Sequence, residues 1–198
     1  MICEIIYSEK GEGMAENRFQ FTKPEGWRII KPERYRDFSI LSTEAVPCLY
    51  GFAVERKDGG FDVVSMFDYG ESSSQFIAEL NAELEKLEAN NHAVENVNEY
   101  IKENAADYAV TSTSSMKPLF HKPAKMYGKS CYVNIMEIST NVGTSYSIQI
   151  FAKLARHMVC FGTSVAKLDV KKPFDSIMEN YPFVNDMVNV LLKSIEEI

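Results

Sequence analysis

His157 and Cys160 stand three positions apart, and an imidazole beside a thiol can generate the thiolate that a nucleophilic cysteine requires. Residues 157–163 read as a strand, however, and side chains three apart in a strand point to opposite faces. Cys160 also lies between Val159 and Phe161, the setting of a cysteine that acts as a small buried hydrophobe. The three histidines, His92, His121 and His157, are 29 and 36 positions apart with no HExxH or His-x-His cluster. No compact ligand set for a metal is present, and each histidine reads as a surface or loop residue. Gly11-Glu12-Gly13-Met14-Ala15-Glu16 has two of the three glycines of GxGxxG. It leads into a predicted strand, so it lacks the helix terminus that holds a pyrophosphate. Neither GxxxxGK nor GxSxG occurs. The glutamates between 79 and 103 fall on polar faces of predicted helices, where a carboxyl stays solvated and ionised rather than poised as a general acid. The sequence thus favours a non-enzymatic protein with no catalytic residue, metal or cofactor.

Charge is distributed with more information. Residues 68–107 carry ten acidic side chains against Lys86 and Lys102, whereas 108–136 carries Lys117, Lys122, Lys125 and Lys129 with no acid. Together with Phe120, His121 and Tyr127, these lysines make 117–129 a candidate binding site for an acidic partner or a phosphate-bearing ligand. The same lysines also suit two plainer tasks, neutralising the adjacent acidic helices or guarding an edge strand from unwanted pairing. Trp27, the one tryptophan, is expected as a core anchor beside a turn.

The elements that must position these groups follow from hydrophobic period. Phe19 and Phe21 alternate with polar neighbours, Lys23-Pro24-Glu25-Gly26 breaks the run, and Trp27-Arg28-Ile29-Ile30 resumes it, which predicts two short strands around a turn. A third strand is expected at 35–41. Tyr50, Phe52 and Val54 share a face, Asp58-Gly59-Gly60 supplies the turn and Phe61 onward alternates again, so 48–67 is a hairpin. After Gly70 the period becomes helical: Phe76, Ile77, Leu80, Leu84 and Leu87 follow a Ser72–Gln75 capping box, and Val94 to Tyr108 gives a second helix. Residues 111–125, with Pro118 and Pro123, read as a loop or an edge strand. Strands are expected from Cys131 to Ile138, from Tyr146 to Leu154 and at 157–163. An amphipathic helix from Val184 to Ile198 closes the chain, with Pro182 in its first turn. Phe183, Val190 and Leu192 widen its apolar stripe beyond one sheet contact, which points to a homodimer formed through this helix.

The chain has 198 residues and a net charge of −7. At that length a protein buries roughly 70% of the surface its unfolded chain exposes and needs no metal or disulfide to hold a core. Four cysteines with no CxxC pair do not make a disulfide scaffold. The acidic balance argues against a nucleic-acid partner. Met1 to Tyr7 lacks the basic start and apolar run of a secretory signal, and nowhere do about 18 apolar residues run together, so a cytoplasmic protein without a transmembrane segment is expected. Strand runs separated by helix, without βαβ alternation, predict an antiparallel sheet packed between helices.

Phe21-Thr22-Lys23-Pro24-Glu25-Gly26-Trp27 resembles the aromatic-x-x-Pro-x-Gly-Trp opening of the PsbP-like superfamily, whose members include photosystem PsbP, the Ran-binding Mog proteins and bacterial DcrB. The back half is similar to that family as well: a Tyr-containing strand, a turn, two further strands ending near Phe161-Gly162-Thr163-Ser164, and a helix ending Leu192-Lys193-Ser194-Ile195. The resemblance implies an α+β fold, with 1–17 an N-terminal extension and 18–198 the PsbP-like domain. It implies a protein-binding or assembly module, with a DcrB-like cytoplasmic chaperone for secreted effectors as an alternative. The other alternative is a small-molecule enzyme built on 117–129. No functional residue of the family has a matching position here.

Overall fold

A computed structural model describes residues 19–30, 48–71, 113–140 and 143–198, together with Ala78 and Ala82, which are helical and exposed. The strand expected at 35–41, the remainder of the two helices expected between 72 and 108, His92 and the glycine pair at 11–13 lie outside the described residues. In chain order the elements are β1 (Phe19–Gln20), β2 (Arg28–Ile30), β3 (Cys48–Glu55), β4 (Phe61–Glu71), β5 (Thr113–Met126), β6 (Lys129–Thr140), β7 (Gly143–Lys153) and β8 (His157–Val165). Helix α1 (Pro173–Asn180) and helix α2 (Pro182–Asp186) follow, α2 running directly into a turn of π-helix at Met187–Leu192, and β9 (Glu196–Glu197) ends the chain.

Seven strands form one antiparallel sheet in the order β2-β3-β4-β8-β7-β6-β5. The two short strands at the start do not pair with each other. β2 joins the sheet through β3, and β1 pairs with β9, where Phe19 faces Glu197. The expected hairpin at 48–67 is present, closed by Arg56 to Gly60: Gly59 N–H donates to Arg56 O at 3.0 Å, Gly60 N–H donates to Asp58 Oδ1 at 3.0 Å, and Gly59 has φ +81°.

Register explains why both faces of the sheet are apolar. Ile135, Ile148, Thr163, Val64 and Phe52 lie abreast across five strands, with Val133, Ile150, Phe161 and Met66 in the next row. These rows are buried beneath Ile177 of α1 and Val184, Met187, Val188, Leu191 and Ile195 of the last helix. On the opposite face Tyr132, Phe151, Cys160 and Phe67 lie abreast and are likewise buried. Burying one such side chain contributes about 1.5–3 kcal/mol, so a sheet lined on both faces dominates the stability.

The C-terminal helix departs from its predicted span. Tyr181 precedes Pro182 and is pushed out of the helical region to φ −124° and ψ 86°, which separates α1 from α2. The helical backbone stops at Ser194, and Glu196–Glu197 become a strand, leaving Ile198 64% exposed. Phe183 and Leu192 are buried within the chain and Val190 is half-buried, so the wide apolar stripe is used internally. The helix α1 was not legible from period: eight residues give only two turns of pattern. Among the described residues no helix is long and apolar enough to cross a membrane.

Candidate functional site

The opening motif is a packing device. Pro24 to Trp27 form a type II turn, with Trp27 N–H donating to Pro24 O at 3.3 Å and Gly26 at φ +77°, a conformation that glycine adopts without steric cost. The Lys23 ammonium closes over this turn, donating to Trp27 O at 2.6 Å. Trp27 is buried against Phe52 at a centroid distance of 5.9 Å, and Phe21 meets Tyr50 and Phe52 edge-on at 5.1 and 5.7 Å. Thr22 N–H donates to Ser194 Oγ at 2.8 Å, which ties the motif to the last helix. Trp27 is the core anchor its place beside the turn predicts.

The basic segment 117–129 is strand and turn. β5 is the outermost strand of the described sheet and spans 14 residues. Tyr127 and Gly128, at φ 52° and 79°, form the two-residue type I′ turn into β6. Because successive residues of a strand alternate in direction, the seven candidate residues separate. Phe120 and Lys122 pair with Ile135 and Val133 on the face beneath the C-terminal helix. There Phe120 stacks on Phe174 at 5.8 Å, with the Lys122 ammonium 5.6 Å from the Phe120 ring. Lys117 pairs with Glu137 and is exposed. His121 and Lys125 belong to the opposite face; His121 Nδ1 lies 3.2 Å from the Tyr132 hydroxyl. The hairpin tip is fastened to the helix: Tyr127 OH donates to Asn189 Oδ1, and the Lys129 ammonium donates to Lys193 O at 3.1 Å. Lys193 in turn lies 5.8 Å above the Tyr127 ring. The structure therefore does not gather the lysines and His121 around one reacting centre.

His157 is not the surface or loop histidine its sequence context predicts. It opens β8, is buried, and its Nδ1–H donates to the Asp68 carboxylate at 3.0 and 3.1 Å. Its Nε2 is 4.0 Å from Glu197 Oε1, and the Phe19 ring meets it edge-on at 5.6 Å. Glu197 accepts from Arg156 N–H at 2.7 Å, Arg156 Nε at 2.9 Å and His157 N–H at 3.3 Å. Desolvation raises the Glu197 pKa, but these donors outweigh it and hold the carboxyl below the usual carboxylate range. The node binds the last strand to the β7–β8 turn. Its members come from positions 89 and 40 residues apart, so no local spacing announces it.

Cys160 lies on the face opposite the helix, across from Phe67 and Phe151. Burial pushes its thiol up, the reverse of the activation a nucleophilic cysteine needs. Cys131 is also buried, and burial raises it too. Asn134, 2% exposed, donates to Gln149 Oε1 at 2.9 Å, while its own Oδ1 accepts no hydrogen bond among the described residues. The large apolar side chains that stay exposed among the described residues, Phe61, Tyr127, Val170 and Ile198, sit at separate turns and ends and do not form a groove.

What the sheet does assemble is a basic row that sequence reading missed. Lys125 of β5 pairs with Ser130 of β6, and Ser130 pairs with Lys153 of β7, so the three side chains stand abreast on one face, all exposed. The signal was available: Lys153 falls on the polar parity of its strand, and the two turns fix the register that brings it beside Lys125. Next to the row is an open depression of about 520 Å³ whose rim includes Gly128, Lys129, Ser130 and Lys153.

No family model matches the chain, and no curated protein matches it. Among solved structures it is similar to the solution structure of cyanobacterial PsbP (CyanoP) from Synechocystis sp. PCC 6803, with a TM-score of 0.49 and 12% identity over 98% of this chain and 99% of that one. The antiparallel sheet with helices packed on it is itself the α+β architecture that the order of elements predicts.

Proposed function

We propose that this protein is a non-enzymatic binding module that takes an acidic partner protein on the outer end of its sheet, around the β5–β6 hairpin. The observation that carries this reading is the contrast between buried apolar surface and exposed, uncommitted lysines. Lys117 and Lys125 are exposed along β5, and Lys153 along β7. Among the described residues no ion pair engages any of them. Charges held outward on a rigid strand steer an oppositely charged partner and fix its register. Two further features support a binding role over a catalytic one: His121, His157 and the lysines of 117–129 are dispersed over both faces, and the buried cysteines are shifted away from reactivity.

The test is fluorescence anisotropy of end-labelled poly-L-glutamate titrated with the full chain. Saturable binding that weakens steeply between low and physiological salt is expected, with a single-stranded oligonucleotide of equal charge binding no more tightly. Absence of polyglutamate binding at low salt, or a clear preference for the oligonucleotide, would overturn the proposal.

A further inference from the structure

Resting on the reading above, we infer that the acidic partner is held by one cross-strand row, Lys125–Ser130–Lys153, and that it presents an extended, carboxylate-rich segment to it. The register places Lys125 and Lys153 on either side of Ser130 on a common face. Neighbouring strands lie about 4.8 Å apart, so the two lysines stand about 10 Å apart at the backbone. Flexible four-carbon stems let each ammonium reach a separate carboxylate. An extended segment repeats its same-side chains about every 7 Å, which suits two ammonium groups with a serine hydroxyl between them as a further donor.

The other basic residues of the region are committed elsewhere. Lys122 faces the opposite side beside the Phe120 ring, Lys129 donates to Lys193 O, and Arg156 is paired with Glu197 at 2.9 Å. Lys125 and Lys153, by contrast, have no carboxylate partner among the described residues. The chemistry of the neighbouring depression selects between anions. Glu196 and Glu197 line it together with Lys129 and Lys153, so a compact phosphate dianion seated there would meet two carboxylates. A chain running along the open row meets Lys125, Ser130 and Lys153 in turn.

The experiment compares four full-length proteins in the polyglutamate titration: wild type, Lys125→Gln, Lys153→Gln and Lys122→Gln. Each substitution is at an exposed side chain, and far-UV circular dichroism checks that all four keep the wild-type spectrum. Losses of about 2- to 5-fold in affinity for each of the two row variants are expected, the range for single exposed ion pairs, with Lys122→Gln unchanged. Wild-type binding that is salt-sensitive but unaltered by Lys125→Gln and Lys153→Gln would overturn the row while leaving the acidic-partner reading intact. A wild type that fails to bind overturns both. Displacement of polyglutamate by inorganic phosphate at lower concentration than by free glutamate would overturn the carboxylate assignment.

Discussion

Glu197 shows how much one side chain near a chain end can carry. Its carboxylate accepts from two backbone N–H groups and a guanidinium, and its pKa is lowered in the folded state from an unperturbed 4.5 although desolvation works the other way. A carboxyl depressed by folding contributes stability that is complete above its unfolded pKa and is lost as pH falls through its folded pKa. Urea midpoints followed into the acid range should therefore fall for the wild type, and the fall should be shallower in Glu197→Gln. Parallel curves for the two proteins would remove Glu197 from the acid limb. Trp27 makes the complementary case for packing. It is 3% exposed against Phe52, and truncation of a buried tryptophan costs about 3–5 kcal/mol. Denaturant unfolding of Trp27→Ala that shows less than about 1 kcal/mol of loss would contradict its role as the anchor of the opening motif. Of the two, only the tryptophan was readable in the sequence, because a turn and an aromatic neighbourhood are local facts. The environment of His157 was misjudged because Asp68 reaches it from 89 positions away.

At the scale of elements, the β5–β6 hairpin decides where the lysines point. Its turn needs positive φ at both central positions, and Tyr127 takes 52° beside Gly128 at 79°. A second residue with a Cβ there costs roughly 1–2 kcal/mol. Gly128→Ala should lower stability by about that amount, read from denaturant midpoints. It should also weaken polyglutamate binding, since Lys125 and Ser130 flank the turn. An unchanged midpoint would show that the turn is not strained by a side chain. Pro118 and Pro123 are what made this stretch ambiguous in sequence. Proline removes a ladder donor and so appears either in loops or on an outer strand, and only the pairing with β6 decides for the strand. The end of the last helix was overrun for a related reason: Ile195 and Ile198 continue a helical spacing, but pairing of β9 with β1 captures the backbone first.

For the whole molecule, the two-stranded β1–β9 ladder joins residues near the start of the described chain to its last strand, and Glu196 accepts from Gln20 at 3.0 Å across it. Deleting 196–198 removes this ladder, the Glu197 node and the acid wall of the depression together. Thermal unfolding of the shortened protein should begin lower; for a chain of this size each kcal/mol corresponds to about 2–4 °C in Tm. A Tm within about 1 °C of the full chain would mean that the closure is decorative.

Strand periods, the two β-turn chemistries at Asp58-Gly59-Gly60 and Pro24-Glu25-Gly26, the buried character of Cys160 and Trp27, and hence an antiparallel α+β fold, are all legible in the order of residues. These are short-range matters, in which each side chain's preference is expressed within a few residues of backbone. Which lysines stand abreast, which carboxylates surround His157 and where the last helix yields to a strand were decided only by tertiary structure. They depend on register between segments far apart in the chain, and a register is a property of a pair of strands that neither strand carries alone.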